Sequence, residues 1–333
     1  MANKNSDLNW ARKAKKDEFY TQLSDIEKGI GDCLLASPQM LEGKTILLPA
    51  DDPDRSNFTR YFTENFERFG LAKLVSTSFN PAGRGKILVK TRHATHVGLL
   101  AGDGDFRSPE ITHLRDQADF VFTNPPFSLF RAFMDWLVAG GVKFRVLGPM
   151  TAASKKNVFP LFKYRQVWYG AAIKGGKTLF EVPDCYPLEA QTSYVSGHRR
   201  VIGVKGVRWF TNIPNPAPPQ PLTLATRAYN LAHNRRVARN PRAYRQYDNY
   251  RAIEVPSVTA IPSDYDGIMG VPITFLDKFC PTQFNILGTQ RHEKDPELLD
   301  AYIGDACSSG KVMLDGKELF DRIFIRPIPI TCA

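Results

Sequence analysis

The first half of the chain alternates short apolar runs with amphipathic stretches. Apolar runs rich in β-forming residues predict strands at 45–48, 72–76, 120–122 and 144–147. Apolar residues at helical spacing predict helices near 58–66, 109–118, 128–137 and 155–164. Residues 81–97 interrupt this alternation and predict an exposed hairpin or loop. Strands that alternate with helices are typical of an α/β fold with a parallel sheet.

The second half of the chain has a different pattern. Short β-like runs occur at 167–169, 201–204, 208–211 and 322–326, separated by Gly and Pro. The Pro-rich segment 214–221 can form neither a helix nor an inner strand, which predicts a stiff connector. We therefore expect one domain over 1–165 and an irregular, β-containing region over 166–333.

Composition and charge narrow the class of protein. The 333 residues are 43% hydrophobic and carry a net charge of +10, which fits a polyanionic partner. Five scattered cysteines without C-x-x-C spacing argue against a zinc site and a disulfide framework. No apolar run reaches the length of a membrane span, and residues 1–16 form a basic arm rather than a signal peptide. This arm is either disordered or contacts nucleic acid. We expect a cytoplasmic protein.

Asn124, Pro125, Pro126 and Phe127 lie between a predicted strand and a predicted helix, with Ser128 expected as the helix N-cap. The prolines fix the backbone and remove two N–H donors. The Asn124 amide oxygen and the Pro125 carbonyl can therefore both accept hydrogen bonds from one NH₂ group, and Phe127 can stack on its heterocycle. The loop predicts a site for a planar aromatic amine such as adenine. The alternative is a tight turn with a buried Phe.

Four further stretches accompany this loop. They are KDEFYTQ at 16–22, DDP and SNF within 51–58, GDGDFRS at 102–108, and DYDGIMGVPITFL at 264–276. With these stretches the chain resembles the EcoRI-type adenine-N6 DNA methyltransferases. The resemblance implies a Rossmann-like methyltransferase sheet, dependent on S-adenosylmethionine (AdoMet), over 1–165. It implies an added, irregular, β-containing target-recognition region over 166–333.

The resemblance also implies where AdoMet binds. The implied cofactor residues are Tyr20, Thr21, Pro49, Ala50, Asp51, Asp52, Asp105 and Phe106, with Asp105 and Phe106 meeting the adenine. The turn at 49–53 lacks the Gly-x-Gly of the wider class. No carboxylate follows the strand at 72–76 to hold the ribose, so either a hydroxyl within 77–80 or a group elsewhere holds it.

The implied reaction is methyl transfer to an adenine rotated out of duplex DNA, with Asn124, Pro125, Pro126 and Phe127 as catalytic residues. Implied partners are double-stranded DNA and a cognate restriction endonuclease that acts on the same site without direct contact. The resemblance further implies a monomer that binds no metal and does not contact a membrane. It would act in a bacterial or phage-infected cell. Alternatives are methylation of RNA or of a protein glutamine by the same loop, or an inactive DNA-binding decoy.

The segment 199–251 is strongly basic. It contains eleven Lys or Arg residues and one acidic residue, Asp248, with four tyrosines at 229, 244, 247 and 250. Solvated surfaces usually mix their charges, so this segment predicts the DNA face rather than a plain basic loop. The expected DNA-binding residues are Arg199, Arg200, Arg235, Arg236, Arg239, Arg242 and Arg245.

Overall fold

The computed structural model describes residues 20–170, 177–182, 193–196, 199–214, 219–289, 296–303 and 311–329. The basic arm at 1–16 and residues 215–218 of the Pro-rich connector lie outside these ranges. The chain divides into two compact units, Met1–Met150 with Val167–Pro216 and Thr151–Gln166 with Ala217–Ala333. Within the described ranges, none of the helices has the length and apolar character needed to span a membrane.

Strands and helices alternate between residues 20 and 150 of the first unit, except for three successive strands over 73–99. Its strands are β1 (Tyr20–Thr21), β2 (Thr45–Leu48), β3 (Lys73–Thr77), β4 (Lys86–Thr91), β5 (Thr95–Leu99), β6 (Phe120–Thr123), β7 (Lys143–Pro149), β8 (Trp168–Tyr169), β9 (Lys177–Val182), β10 (Ser193–Ser196), β11 (Arg199–Lys205) and β12 (Val207–Thr211). Its helices are α1 (Leu23–Ala36), α2 (Asn57–Glu64), α3 (Pro109–Asp116) and α4 (Phe130–Ala139).

The main sheet of this unit has the strand order β5–β4–β3–β2–β6–β7–β12–β8 over the described part of the chain. Strands β3, β2, β6 and β7 run parallel, whereas β4, β5, β12 and β8 extend the sheet with antiparallel pairs. Helices α1 and α2 pack on the sheet through Ile26, Ile30, Phe58 and Phe62, all at most 1% exposed. The expected α/β architecture with a parallel core is therefore present.

Helix α4 begins later than the sequence predicted. The expected N-cap, Ser128, is wrong, because Leu129 occupies the cap position and no side chain caps the helix. The backbone first turns after the two prolines, with Leu129 N donating to Pro126 O at 3.0 Å. Because this turn precedes the helix, the helical hydrogen bonds start at Phe130.

A smaller sheet in the same unit has the order β1–β9–β11–β10 among the described strands. Strand β1 pairs antiparallel with β9, with Tyr20 opposite Glu181 and Thr21 opposite Phe180. A two-residue strand has few hydrogen bonds of its own. Its position is therefore set by this pairing, which fixes Tyr20 and Thr21 ahead of α1.

The second unit is built around another mixed sheet. Its elements are α5 (Phe159–Lys163), α6 (Arg227–His233), α7 (Arg235–Ala238), β13 (Ala252–Glu254), β14 (Ile268–Pro272), β15 (Phe284–Thr289), α8 (Pro296–Ala301), β16 (Met313–Leu314), β17 (Lys317–Glu318) and β18 (Arg322–Pro327), with 3-10 turns at Val258–Ala260 and Ile273–Asp277. The sheet order is β13–β14–β18–β15 in the described residues. Glu254, 2% exposed, is neutralised by Arg322 at 2.7 Å and accepts from the Tyr247 hydroxyl at 2.6 Å, so this buried charge is satisfied.

The division into units differs from the boundary expected at residue 165. Strand β12 pairs with β7 from Val207↔Pro149 to Thr211↔Arg145, so Val167–Pro216 belongs with the first unit. The helix predicted over 155–164 is shorter, at Phe159–Lys163, and follows a 3-10 turn over Met150–Ser154. Pro160 sits in the first turn of this helix, where its missing N–H costs nothing. The functional roles expected of the two halves stay predictions.

Candidate active site

The parallel strands place two loops side by side at one edge of the main sheet. From β2 the chain crosses through α2 to β3 on one side, and from β6 it crosses through α4 to β7 on the other. Strands β2 and β6 are neighbours, with Ile46 opposite Phe120 and Leu47 opposite Val121. The strand order therefore reverses between them, and ligands of open α/β sheets bind outside the carboxyl ends of strands at such a point.

A pocket lies at this point. The pocket is open to solvent on one side. Its lining comes from four separate parts of the sequence, and consists of Tyr20, Thr21, Ala50, Asp51, Asp52, Ser56, Ser78, Phe79, Asn124 and Pro126. Five of the eight expected cofactor residues and two of the four expected catalytic residues are among them. The tertiary structure thus brings three of the sequence motifs to one cavity.

Asp51 is the most deeply buried charged side chain of the pocket. It is 4% exposed, and its Oδ1 accepts a hydrogen bond from the Ser56 hydroxyl at 2.5 Å. Burial raises the pKa of Asp51 from 3.8 to about 7, and the Ser56 hydrogen bond opposes this rise. The nearby Thr123 side chain also lowers this pKa, although its hydroxyl oxygen has no hydrogen-bond partner among the described residues. Near neutral pH this carboxyl therefore changes charge readily.

Two buried polar atoms on the pocket wall have unused hydrogen-bonding capacity. Asp51 Oδ2 and Thr21 Oγ1 have no hydrogen-bond partner among the described residues. A buried acceptor left without a donor costs about 1–3 kcal/mol, more when it is charged. Such a pair fits a ligand that brings a cationic donor into the pocket, as the ammonium group of AdoMet would.

Hydroxyl groups hold the loop after β2 in place. Ser56 accepts from Phe58 N at 3.0 Å and thereby caps α2. Ser76 donates to the Asp51 carbonyl at 2.6 Å and lies 2.6 Å from the Thr59 hydroxyl. This network occupies the place where the wider class has a glycine-rich turn. It fixes the backbone of the loop without the close approach that glycines permit.

The segment before α1 is attached to the same loop. Asn57 Nδ2 donates to the Thr21 carbonyl at 2.8 Å, across 36 residues of sequence. Together with the β1–β9 pairing, this bond holds Tyr20 and Thr21 against the pocket. Gln22 occupies the N-cap position of α1, and its side chain makes no cap hydrogen bond.

The Asn-Pro-Pro-Phe loop follows β6 directly. Asn124 and Pro126 line the pocket, Pro125 is buried, and Phe127 is half-buried. The Phe127 ring meets Phe180 edge to face, with centroids 6.2 Å apart. Phe127 is therefore not a free surface ring, and its orientation depends on β9.

Asp105 and Phe106 do not line this pocket. The Arg107 guanidinium pairs with Asp105 at 2.5 Å, and this hydrogen bond lowers the pKa of the Asp105 carboxyl. Phe106 is 6% exposed and packs edge to face on Phe133, with centroids 5.0 Å apart. Gly104 explains why the motif needs glycine, since its φ is +86° and an added Cβ would lie 2.1 Å from the Ser78 carbonyl oxygen. The roles expected for Asp105 and Phe106 stay predictions.

The pocket includes three residues that were not individually assigned from the sequence to the cofactor or to catalysis. Ser56 was recognisable as a helix N-cap, but only the fold shows that it also bonds Asp51. Ser78 and Phe79 follow β3, where the wider class usually has a carboxylate that this chain lacks, and the Phe79 side chain is 43% exposed. The absence of a carboxylate after β3 was the feature of the sequence that could have indicated these residues. It indicated the loop but did not identify the exposed Phe79 ring.

The expected DNA-binding arginines fall into different environments. Arg199 and Arg200 lie on β11 of the first unit, where the structure describes the side chain of Arg200 but not that of Arg199. Arg242 and Arg245 both pair with Asp315, at 3.4 and 2.7 Å. The remaining three, Arg235, Arg236 and Arg239, are exposed and have no acidic partner within the described ranges. Of the five expected arginines in the second unit, these three have no ion pair within the described ranges.

The family described as "Adenine-specific methyltransferase EcoRI" matches residues 7–98 and 85–327. The Type II methyltransferase M.EcoRI of Escherichia coli is 35% identical, covering 94% of this chain and 97% of its own. M.MpnI of Mycoplasma pneumoniae, also a Type II methyltransferase, is 37% identical over 84% of each chain. M.MgeORF184P of Mycoplasma genitalium, another Type II methyltransferase, is 33% identical over 96% of this chain and 98% of its own. No solved structure matches significantly. Since both the family match and these identities extend over most of its length, the chain belongs to the EcoRI family of adenine-specific methyltransferases.

Proposed function

We propose that this DNA methyltransferase transfers a methyl group from AdoMet to N6 of an adenine rotated out of duplex DNA, within a restriction–modification system. The observation that carries the proposal is the meeting of Asp51 and Asn124 in one pocket at the switch point of the sheet. Membership in an adenine-specific family supports the target base. Family membership does not favour methylation of RNA or of a protein glutamine, and it does not favour an inactive DNA-binding decoy.

The first unit would be the Rossmann-like cofactor domain. Ionised Asp51 would accept from the AdoMet ammonium, and the Thr21 hydroxyl would complete this polar end. Tyr20 and Phe79 offer aromatic faces to the apolar parts of the cofactor. When bound, AdoMet supplies a methyl group on an already activated sulfonium, so the chain needs to position its groups rather than provide a strong base.

Asn124 and Pro125 would hold the reacting amine. The Asn124 side-chain oxygen and the Pro125 backbone carbonyl oxygen would accept from the two N6 hydrogens. These hydrogen bonds draw electron density onto nitrogen and aim its lone pair. Phe127 would stack on the extruded base and offset part of the few kcal/mol that extrusion costs. Pro126 would keep this backbone rigid.

The second unit would contribute to DNA binding through Arg235, Arg236 and Arg239, and Arg199 and Arg200 would contribute from the first. Arg242 and Arg245 enter this proposal with smaller roles, since Asp315 pairs with both and offsets one of their two positive charges. We place the reaction in the cytoplasm, where DNA and AdoMet occur together. A cognate endonuclease that acts on the same site, and a monomeric enzyme, remain part of the proposal.

The decisive experiment combines calorimetry with a substrate screen. Titration with AdoMet should show one saturable site. Tritium from labelled AdoMet should then appear in duplex DNA and not in RNA or protein, and digestion of the DNA should yield N6-methyladenine. Label in RNA or protein alone would overturn the substrate assignment, and DNA binding without any transfer would favour a decoy.

A further inference from the structure

Two aromatic rings stand on the exposed side of helix α6. Tyr229 and His233 are one turn apart, and their rings stack with centroids 4.3 Å apart and planes inclined by 21°. The Tyr229 side chain is 56% exposed, and His233 is exposed as well. On the inner side, Asn230 is 3% exposed and Val237 of α7 is 1% exposed. The helix pair is thus anchored from within while the rings face solvent.

The hydrogen bond made by His233 sets which ring nitrogen is available. His233 Nδ1 lies 3.0 Å from the Tyr229 carbonyl oxygen. A carbonyl only accepts, so Nδ1 must carry the hydrogen, and the neutral ring then has its acceptor at Nε2. The stacked pair therefore presents a flat face together with an oriented acceptor.

The charges beside the rings are unequally compensated. Asp264 neutralises Arg227 at the start of α6, at 3.2 Å. Arg235, Arg236 and Arg239 follow the rings and are exposed, with no acidic partner in the described part of the chain. Ring groups that can reach base edges, next to arginines that can reach phosphates, suit duplex DNA, since phosphate contacts position a protein and base contacts specify the sequence.

The DYDG motif holds this helix in place. Asp264 Oδ1 accepts from Arg227 N at 2.8 Å, and the Thr226 hydroxyl accepts from Tyr229 N at 3.2 Å. The Arg227 guanidinium lies 5.5 Å from the centre of the Tyr265 ring. Ser263 N also donates to Ala225 O at 3.0 Å. The first turn of α6, and hence the ring pair, is oriented by 262–265.

We propose that Tyr229 and His233 are sequence-reading groups for duplex DNA, and that Asp264 is a positioning residue that aims them. His233 Nε2 suits the exocyclic amine of cytosine or adenine in the major groove. Tyr229 supports the imidazole and presents its own face to the bases. This inference rests on the proposed function and adds the groups that choose the sequence.

The test compares discrimination rather than activity alone. Modification-sensitive sequencing of DNA methylated by the wild type first gives the recognised sequence. The ratio of kcat/KM for this sequence to kcat/KM for single-base-pair variants is then measured for His233→Ala and Tyr229→Ala. At one or two base pairs the ratio should fall about tenfold or more. Arg235→Gln with Arg236→Gln should weaken binding to all sequences equally and leave the ratio unchanged.

Two further variants make the test specific. Tyr164→Ala is the control, because Tyr164 is 68% exposed and is the C-cap residue of α5. This variant should leave the ratio unchanged. Asp264→Asn should lower the same ratio as His233→Ala, by a smaller factor, with unchanged AdoMet affinity. Unchanged ratios in both ring variants, with methylation retained, would overturn this inference and leave the proposed function intact. A wild type that methylates no DNA would instead overturn the proposed function.

Discussion

The rings of Phe127 and Phe180 meet edge to face, with planes at 86° and centroids 6.2 Å apart. Phe180 is fully buried, and its backbone stands opposite Thr21 in the β1–β9 pair. One residue of β9 therefore contacts the loop proposed to hold the base and adjoins the segment proposed to hold the cofactor. The two halves of the candidate site share a common support.

Phe180→Leu should therefore impair transfer more than cofactor binding. The smaller side chain loosens the Phe127 ring, while the backbone pairing that holds Thr21 remains. We expect a roughly tenfold lower rate in single-turnover assays, AdoMet affinity within about threefold of wild type, and about 1 kcal/mol lower stability. Phe275→Leu, at an equally buried position of the other unit, is the control for stability loss alone. A rate unchanged by Phe180→Leu would show that Phe127 needs no such support.

Asn124→Ala should separate binding from chemistry. It removes an acceptor proposed to contact only the reacting amine, so transfer should fall by orders of magnitude while AdoMet affinity stays within a few-fold. Calorimetry and tritium transfer measure the two quantities. Transfer at the wild-type rate would rule out this loop as the catalytic one.

The raised pKa of Asp51 predicts how apo-protein stability varies with pH. The folded protein holds this proton up to about pH 7, whereas the unfolded chain releases it near 3.8. Stability should therefore fall as pH rises from about 4 to 7, by on the order of 4 kcal/mol from this group. Asp51→Asn keeps the shape without the charge, so its melting temperature should exceed that of wild type at pH 8. If the melting temperatures of the wild type and of Asp51→Asn changed with pH in parallel across this range, the effect of burial on Asp51 would be contradicted.

The same group should link cofactor binding to proton release. Below pH 7, Asp51 must lose its proton to accept from an ammonium group, so AdoMet affinity should rise with pH up to about 7. Above about pH 8 the α-amino group loses its charge and affinity should decline. Calorimetry in buffers of different ionisation enthalpy would detect the released proton near pH 6. Asp51→Asn should bind weakly and show no proton release.

The arginines of the basic segment should differ in their contribution to DNA affinity. Arg235→Gln with Arg239→Gln removes two unneutralised charges, and should reduce the slope of log affinity against log salt by up to about 1.8. Arg242→Gln with Arg245→Gln is the matched comparison, because Asp315 pairs with both side chains and offsets one of their two positive charges. The slope for this variant should fall by about 0.9, half as much. Equal slopes for the two double variants would mean that the ion pairs open on binding DNA.

Base extrusion gives a direct optical signal. With 2-aminopurine in place of the target adenine, binding should increase fluorescence, because unstacking relieves quenching, and a mismatch opposite the target should tighten binding. Phe127→Ala should lose about 1–3 kcal/mol of one base–aromatic stack, whereas Phe127→Tyr keeps the π-face and should be tolerated. Unchanged fluorescence on a duplex that the enzyme methylates would exclude extrusion of this base.

The sequence alone was enough to predict the local features. The strand before Asn124, the stop imposed by Pro125 and Pro126, and the alternation of the first half all follow from periodicity and proline chemistry, which act over a few residues. It also indicated the basic segment. It did not show the start of α4, because the turn formed by 126–129 is a backbone hydrogen-bonding choice that helical spacing does not encode.

Contacts between distant segments set which residues meet in the pocket and in the core. Thr21 reaches the pocket through pairing with Phe180 and a bond from Asn57, both distant in sequence. Phe106 packs in the core whereas Phe79 remains exposed at the pocket, a choice that depends on neighbours such as Phe133. Asp315 pairs with two arginines about 70 residues earlier and offsets one of their two charges, so local charge counting overstated the free charge. Burial and pairing are properties of contacts between distant segments, and for that reason the order of residues along the chain leaves them open.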